Sequence, residues 1–253
     1  MTLPMITAHS GCEDTEIDTL ESINIALDCG AEAVEVDVRV DKTGKLRIAH
    51  DAVPQEEYEK KMTLREVLKY VCDTGLLVNC DLKEQSALYK TLEEAEKFGF
   101  PANRLILSGC TSPEQLARDP ELHKRGQFFL NIEEVVKFIV LYNDPLVQID
   151  QFVQLMSDPW AYIKKHGMDI IEDYISDIVR CYKMLGATAV NMPKTLLDSV
   201  IDRTFQEADI PLSVWTVNEP ELVQSCLSEK VYNITTRKVR QAIQLREDYF
   251  NGV

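Results

Sequence analysis

The sequence lacks any apolar run that approaches the roughly 20 residues needed to cross a bilayer. The best candidate, Val135 to Tyr142, is short and contains Lys137. The N-terminus has no basic segment followed by an apolar stretch, so it does not resemble a secretory signal peptide. These absences argue against a membrane span and lead us to expect a cytoplasmic protein.

Positive charge is also scarce. The chain has 27 lysines and arginines against 42 acidic residues, a formal net charge of -15, and no local basic cluster. Such a surface repels phosphate backbones, so neither nucleic acid nor an anionic membrane is an expected partner. A small anionic substrate remains compatible with this charge if a bound cation reverses the local field.

Cysteine patterns typical of disulfide frameworks and zinc sites are missing. The seven cysteines are an odd number and include no CxxC pair. Cys29, Cys72, Cys181 and Cys226 fall in helix-like segments and Cys80 in a strand-like run, which is typical of small core residues in a reducing compartment. No linker or low-complexity tract divides the chain, so residues 1–253 are expected to form a single domain.

What the sequence does contain is a regular alternation of short β-rich runs with amphipathic segments. Eight strands are predicted, at Met5–His9, Ala33–Val38, Leu77–Lys83, Arg104–Ser108, Gln127–Asn131, Thr188–Met192, Leu212–Val217 and Tyr232–Thr236. The clearest helical periodicity lies in Thr19–Cys29, Ile170–Leu185, Thr195–Ala208 and Glu219–Leu227. Eight such units in 253 residues predict a single (β/α)8 TIM barrel.

A doubly wound open sheet would show the same alternation. However, the first strand is followed by Ser10-Gly11-Cys12-Glu13 and not by a glycine-rich phosphate loop. Two segments depart from the alternation. Thr43 to His50 predicts a short extra hairpin strand, and Asp144 to His166, with Pro145, Pro159 and Trp160, predicts a long connection.

In a barrel of this kind, functional groups lie where strands end, on the C-terminal face. His9 ends the first predicted strand, and His50 ends the hairpin. Glu35 and Asp37 lie two apart in the second strand, which puts both carboxylates on one face. Asp81 and Lys83 repeat this spacing in the next strand of the barrel. The seventh strand runs into Trp215 and Asn218.

Two interpretations of these groups are open. The carboxylates could pair with Lys83, Arg39 or Arg47 in a structural network, or three carboxylates could hold Mg2+ or Ca2+. The presence of His9 and His50 nearby favours the second, because imidazoles can transfer protons near neutral pH. The other two histidines, His123 and His166, fall in polar, loop-like surroundings and are expected at the surface.

The set suits phosphodiester hydrolysis. A cation neutralises the phosphate, one histidine takes a proton from the attacking oxygen, and the other protonates the departing alkoxide. Lys83 adds a point charge, and Trp215 offers either an apolar wall for the substrate or a core side chain.

These residues resemble the motifs of the glycerophosphodiester phosphodiesterase family. The resemblance rests on six segments that follow in order along the chain: His9-Ser10-Gly11, residues 30–38 (GAEAVEVDV), residues 44–51 (GKLRIAHD), residues 78–83 (VNCDLK), residues 214–218 (VWTVN) and residues 234–236 (ITT). It implies a TIM barrel, one divalent cation (Mg2+ or Ca2+), and hydrolysis of a glycerophosphodiester to glycerol 3-phosphate and an alcohol.

The resemblance also implies roles for individual residues. Glu35, Asp37 and Asp81 would be metal ligands, and His9 and His50 the catalytic acid/base pair. The substrate-binding residues would be Lys83, Trp215, Ser10 and Asn218.

The chain departs from the family pattern at several points. Ser10 stands where the family has arginine, Asp81 stands where it has glutamate, and Ile17-Asp18-Thr19 replaces a Glu-Asn-Thr segment. Residues 52–61 are polar and lack the family's glycerol-recognition pattern. Two alternatives therefore stay open: a relative that binds metal and a phosphoester without turnover, and a lysophospholipid-directed enzyme similar to phospholipase D.

Overall fold

The computed structural model describes residues 3–143, 157–197 and 199–252. Eight strands pair in parallel and close into a barrel, because β1 pairs with both β2 and β9. The ninth, β3, pairs antiparallel with β2 outside the ring. The strands are β1 Met5–Ala8, β2 Ala33–Val40, β3 Leu46–Ile48, β4 Leu77–Leu82, β5 Leu105–Gly109, β6 Gln127–Asn131, β7 Ala189–Pro193, β8 Leu212–Trp215 and β9 Asn233–Thr236. The predicted (β/α)8 barrel with its extra hairpin is confirmed, and the open doubly wound sheet is wrong.

Helices surround the ring. Those described are α1 Leu20–Asp28, α2 Gln55–Tyr58, α3 Leu64–Val71, α4 Ala87–Phe98, α5 Pro113–Arg118, α6 Ile132–Asn143, α7 Pro159–Leu185, α8 Ser199–Glu207, α9 Pro220–Ser228 and α10 Val239–Asn251, with 3-10 turns at Cys12–Asp14, Ala102–Arg104, Pro120–Lys124 and Lys194–Leu196. Side-chain caps start several of them: Thr19 accepts from Ser22 N, and Thr63 forms a capping box with Glu66. No helix in the described ranges has the length and apolarity of a membrane span.

The predicted connection from Asp144 to His166 needs a correction. Helix α7 begins at Pro159, so the C-terminal part of that segment is helical. Proline suits the first turn of a helix, where its missing N–H costs no hydrogen bond, and Asp158 caps this end by accepting from Ala161 N at 2.9 Å. The part of the segment from 144 to 156, including Pro145, lies outside the described residues.

Strand alternation divides the core into two parts. Outward-facing side chains such as Val36, Val78 and Leu107 belong to a large cluster that packs under the helices. A separate small cluster of Ile106, Phe129 and Ala189, with Met5 and Leu77 against it, fills one level of the ring interior. The barrel is therefore a packed core and not a channel.

The next interior level, toward the C-terminal ends of the strands, is polar. Asn191 Nδ2 donates to Asn131 Oδ1 at 2.8 Å, Ser213 Oγ donates to Asn191 Oδ1 at 2.9 Å, and Asn233 Nδ2 donates to Ser213 Oγ at 2.9 Å. Thr7 Oγ1 completes the chain by donating to Asn233 Oδ1 at 2.7 Å. Buried polar groups of this kind are tolerated because each finds a partner, and they fix one another's orientation.

The β2–β3 hairpin, which precedes His50, depends on one buried carboxylate. Asp41 Oδ1 accepts from Thr43 N at 2.8 Å and Lys45 N at 3.0 Å, and Oδ2 accepts from Arg47 Nε at 3.0 Å. Its side chain is 0% exposed. Burial alone would raise the pKa of Asp41, but the hydrogen bonds from Thr43, Arg47 and Lys45 outweigh burial and hold the pKa well below its ordinary value.

Asp41→Ala is expected to lower the free energy of unfolding by about 3 kcal/mol, because it leaves the Arg47 guanidinium without its carboxylate. Because the pKa of Asp41 is lower in the folded state than in the unfolded state, its ionised carboxylate stabilises the fold at pH values above the unfolded-state pKa. The difference between wild type and variant should therefore shrink as the pH falls below about 4. Urea unfolding at several pH values measures this, with the exposed Asp28→Asn as a control that changes stability by less than about 0.5 kcal/mol. A pH-independent difference would contradict the assignment.

Candidate active site

A cavity of about 420 Å3 opens at the C-terminal ends of the barrel strands. Seven of the nine site residues predicted from the sequence line it: His9, Glu35, Asp37, His50, Asp81, Lys83 and Trp215. These residues come from different parts of the chain. They meet here because the parallel strands of the barrel all end on one face of the ring.

Three of these residues form a carboxylate cluster. Glu35, Asp37 and Asp81 each offer an oxygen within 4.8 Å of the others. The closeness follows from the sequence, because Glu35 and Asp37 share a face of β2 and Asp37 is paired in register with Asp81 on β4. Burial, followed by the charges of Asp37 and Asp81, raises the pKa of Glu35 well above its ordinary value.

Lys83 partly neutralises the cluster. Its Nζ lies 2.6 Å from Asp37 Oδ1 and 2.5 Å from Asp81 Oδ2. Burial alone would lower the pKa of Lys83, but Asp81 and Asp37 raise it above its ordinary value, so the amine stays charged. One ammonium contacts two of the three carboxylates and offsets one of their negative charges. The donor set, three carboxylate oxygens of which two come from buried residues, fits a hard divalent cation such as Mg2+ or Ca2+.

A glycine keeps the next strand close to this cluster. Gly109 ends β5 with φ at +70°, and a Cβ built there would lie 2.1 Å from Asp81 Oδ1 and 2.5 Å from the Leu82 carbonyl oxygen. Any larger residue would have to displace Asp81 or the β4 backbone. Gly109 is therefore part of what places the Asp81 carboxylate, and the motif pattern did not point to it.

His9 follows β1 and lies beside the cluster. Its Nδ1 is 3.1 Å from the Ser10 carbonyl oxygen and 3.5 Å from Glu35 Oε2. Because both of these partners are acceptors, Nδ1 carries the proton, and the neutral ring leaves Nε2 as an acceptor. Burial, aided by the positive charge of Arg237, lowers the pKa of His9, which favours this neutral form.

His50 follows the β2–β3 hairpin and also lines the cavity. It is more exposed than His9, with 57% of its side chain accessible against 20% for His9. Its Nδ1 lies 2.9 Å from Asp51 Oδ1, so the carboxylate accepts the Nδ1 proton and leaves Nε2 for other contacts. The two predicted histidines therefore differ in environment, one half-buried near the cluster and one exposed beside a carboxylate.

Asp18 connects the loops that carry the two histidines. Its Oδ1 accepts from Ser10 Oγ at 3.2 Å, its Oδ2 accepts from His50 N at 3.3 Å, and its own N donates to Ser10 Oγ at 2.8 Å. It is buried and has φ at +60°, a conformation that aspartate tolerates better than most residues. Burial and the charge of Asp37 raise the pKa of Asp18. The sequence showed this residue only as a departure from the family's Glu-Asn-Thr segment.

Two predicted substrate-binding residues are not among the residues that line the cavity. Ser10 is buried and its hydroxyl is bound to Asp18. Asn218 Oδ1 accepts from Arg237 N at 2.9 Å and from Thr236 Oγ1 at 3.3 Å, which ties the loop after β8 to the loop after β9. Their substrate contacts stay predictions, and the contacts shown are structural.

The two remaining histidines lie elsewhere. His123 is exposed on the 3-10 turn Pro120–Lys124, as predicted. His166 belongs to α7 and not to a loop, and its side chain lies outside the described residues.

The sequence motifs missed a further set of cavity residues on the interior faces of β4 to β7, β9 and the first turn of α6. Strand alternation could have found most of them, because it places them on the same face as the carboxylates. They are Asn79, Ser108, Asn131, Glu133, Glu134, Asn191 and Thr235.

Comparison with protein-family models and with curated proteins gives no match for this sequence. Solved structures do match over nearly the whole chain. A glycerophosphodiester phosphodiesterase from Thermotoga maritima is 21% identical with a TM-score of 0.65, covering 97% of this chain and 99% of that one. A putative glycerophosphoryl diester phosphodiesterase from Agrobacterium tumefaciens is 14% identical with a TM-score of 0.71, covering 99% and 100%.

The chain has the fold of the glycerophosphodiester phosphodiesterases. An Oleispira antarctica phosphodiesterase, in complex with the product sn-glycerol-3-phosphate, is 17% identical with a TM-score of 0.63 and covers 97% of each chain. The resemblance predicted from the motifs is thus confirmed for the fold. It is found by comparing structures, whereas comparison of the sequence with family models and curated proteins gives no match.

The cluster's fit to a cation can be tested by binding alone. Asp81→Asn is expected to weaken Mg2+ or Ca2+ binding, measured by isothermal titration calorimetry, by about tenfold or more, because it removes one of three charged ligands. Asp51→Asn is the matched control, since this exposed carboxylate contacts His50 and is not part of the cluster. Equal affinity of wild type and Asp81→Asn would show that the cluster is not the cation site.

Proposed function

We propose that residues 1–253 form a single-domain, cation-dependent phosphodiesterase that hydrolyses a glycerophosphodiester to glycerol 3-phosphate and an alcohol. The observation that carries the proposal is the meeting of two histidines, a three-carboxylate cluster and one lysine in one cavity of this barrel. The product complex of the Oleispira antarctica phosphodiesterase, which has the same fold, supports the substrate class.

In the proposed reaction, His9 acts as the general base. Its neutral ring takes the proton of the attacking oxygen at Nε2, while the Ser10 carbonyl oxygen holds the Nδ1 proton in place. As the new phosphorus–oxygen bond forms, the bond to the leaving alcohol breaks. Protonated His50, oriented by Asp51, gives its Nε2 proton to the departing alkoxide.

Glu35, Asp37 and Asp81 would hold the divalent cation, which when bound supplies charge neutralisation for the phosphate oxygens. Lys83 sits beside the cluster and would add its positive charge to the phosphate. Trp215 lines the cavity and would give the carbon part of the substrate an apolar wall. The partner is a small phosphodiester.

A cytoplasmic location is part of the proposal. All seven cysteines are free in the structure, and thiols persist in reducing compartments.

His9→Ala and His50→Ala are each expected to lower kcat/KM by about 100-fold or more, because each removes a proton-transfer group. Glycerol 3-phosphate release from glycerophosphocholine or glycerophosphoethanolamine measures this, and circular dichroism checks the fold. His123→Ala, in an exposed turn, should retain wild-type rates. Wild-type rates in both site variants would refute the acid/base roles. Saturable binding without product in wild type would favour the binding-only alternative.

Asp18 is proposed as a positioning residue. Asp18→Gly removes both carboxylate contacts but accommodates the φ of +60°, so backbone strain does not confound the result. We expect kcat to fall about tenfold or more while KM and cation affinity stay unchanged. Asp18→Asn, which keeps part of the hydrogen bonding, should give an intermediate kcat. Equal losses in kcat and in cation affinity would indicate a general structural role instead.

A further inference from the structure

The cavity has a second polar end, on elements other than the two strands that carry the carboxylate cluster. It is formed where β5 and β6 finish and where α6 and α7 begin, and we define this acidic end by Cys110, Asn131, Glu133, Glu134 and Asp158. Because β6 lies three places from β2 around the eight-strand ring, the acidic end faces the cluster from another side of the cavity. The proposed reaction uses none of its residues.

Glu133 is held in a fixed orientation at this end. Asn131 Nδ2 donates to Glu133 Oε1 at 2.7 Å. The direction of this bond is determined, because Asn131 Oδ1 already accepts from Asn191 Nδ2 at 2.8 Å and from Gly109 N at 3.3 Å. The interior hydrogen-bond network of the barrel therefore extends to Glu133. It fixes Oε1 as the oxygen that accepts the hydrogen bond from Asn131.

The other oxygen of Glu133 has no such partner. Glu133 is only 7% exposed, and its Oε2 makes no hydrogen bond to any residue in the described ranges. A buried carboxylate oxygen left unpaired is costly, and in native proteins such an atom usually meets a water, an ion or a ligand. Glu133 lines the cavity although Oε2 itself is buried, so a hydrogen-bond donor that reaches Oε2 from the cavity would satisfy it.

Charge at the acidic end favours a positive donor. Lys83 is the one lysine or arginine among the described residues that line the cavity, and it is bound to Asp37 and Asp81. Glu134 has its own partner, with Lys137 Nζ 3.4 Å from its Oε2. Among the described residues that line the cavity, no lysine or arginine is therefore available to form an ion pair with Glu133.

The environment of Glu133 makes its charge responsive to a ligand. Burial, with the negative charges of Glu134 and Asp81, raises the pKa of Glu133 to about 7. A cation placed next to Oε2 would favour the ionised form and form a charge-assisted hydrogen bond, which is stronger than a bond between neutral groups.

We propose that Glu133 binds the primary ammonium group of an amino-alcohol leaving group, so that the enzyme prefers ethanolamine esters among glycerophosphodiesters. The proposal rests on the proposed phosphodiesterase function and specifies its substrate. The ammonium donates an N–H hydrogen bond to Oε2. A quaternary ammonium has no N–H to donate, and a neutral polyol brings no charge, so both should be used less efficiently.

The first test compares three substrates with wild-type protein: glycerophosphoethanolamine, glycerophosphocholine and glycerophosphoglycerol. We expect kcat/KM for the ethanolamine ester to exceed the other two by about tenfold, the range of one charge-assisted hydrogen bond. Equal efficiency with all three would overturn the Glu133 proposal and leave the phosphodiesterase proposal standing. No glycerol 3-phosphate from any of them would overturn the phosphodiesterase proposal, and the Glu133 proposal with it.

The second test uses Glu133→Gln. Because Asn131 Nδ2 must meet an acceptor, the glutamine carbonyl takes the place of Oε1. Its NH2 group then takes the place of Oε2 and puts a donor where the ammonium would need an acceptor. The preference for the ethanolamine ester over the glycerol ester should fall about tenfold or more, while glycerol ester turnover stays within about twofold of wild type.

Glu134→Gln is the matched control, because it removes the same charge from the neighbouring residue, whose carboxylate is already paired with Lys137. The substrate preference should survive in this variant. If Glu133→Gln kept the wild-type preference, or if Glu134→Gln lost it equally, the preference would come from the general field of the cavity and the assignment to Glu133 would be wrong.

Discussion

The structure depends on one electrostatic constraint: three carboxylates from two adjacent strands are held within 4.8 Å of one another in a largely desolvated site. Such a cluster repels itself, and Lys83 offsets part of its charge. The barrel can maintain this arrangement because β2 and β4 are fixed in register by a closed sheet. The strain is concentrated where a divalent cation and a phosphate would relieve it, which is typical of functional sites.

The polar interior of the barrel continues into the wall of the cavity. Hydrogen bonds run from Thr7 through Asn233, Ser213 and Asn191 to Asn131, and the last member reaches Glu133. A network in which each group has a partner fixes its neighbours, so the cavity wall is preorganised before a substrate binds. The histidine loops are fixed separately, through Asp18 and through the hairpin that Asp41 supports. Preorganisation therefore comes from side-chain contacts on two sides of the site.

The fold and the centre of the site were predictable from the sequence because they follow local rules. Strand periodicity gave all eight barrel strands, and the spacing of Glu35, Asp37 and Asp81 gave the cluster. Contacts that join distant segments were not predictable in this way. Asp18 acts through Ser10 and His50, which only the folded loops bring together, and Glu133 matters because one oxygen is bound and the other is not. Helix α7 begins earlier than the predicted helix Ile170–Leu185, because Pro159, placed in the predicted connection, occupies the first turn of the helix.

In the proposed function, this cavity hydrolyses glycerophosphodiesters only with a divalent cation in the carboxylate cluster. The most direct measurement follows glycerophosphoethanolamine by 31P NMR, first with protein stripped by EDTA and then after Mg2+ or Ca2+ is restored. The account predicts no change in the stripped sample and conversion of the diester signal to that of glycerol 3-phosphate once the cation is present. Hydrolysis at the same rate in EDTA, or none with the cation bound, would contradict it.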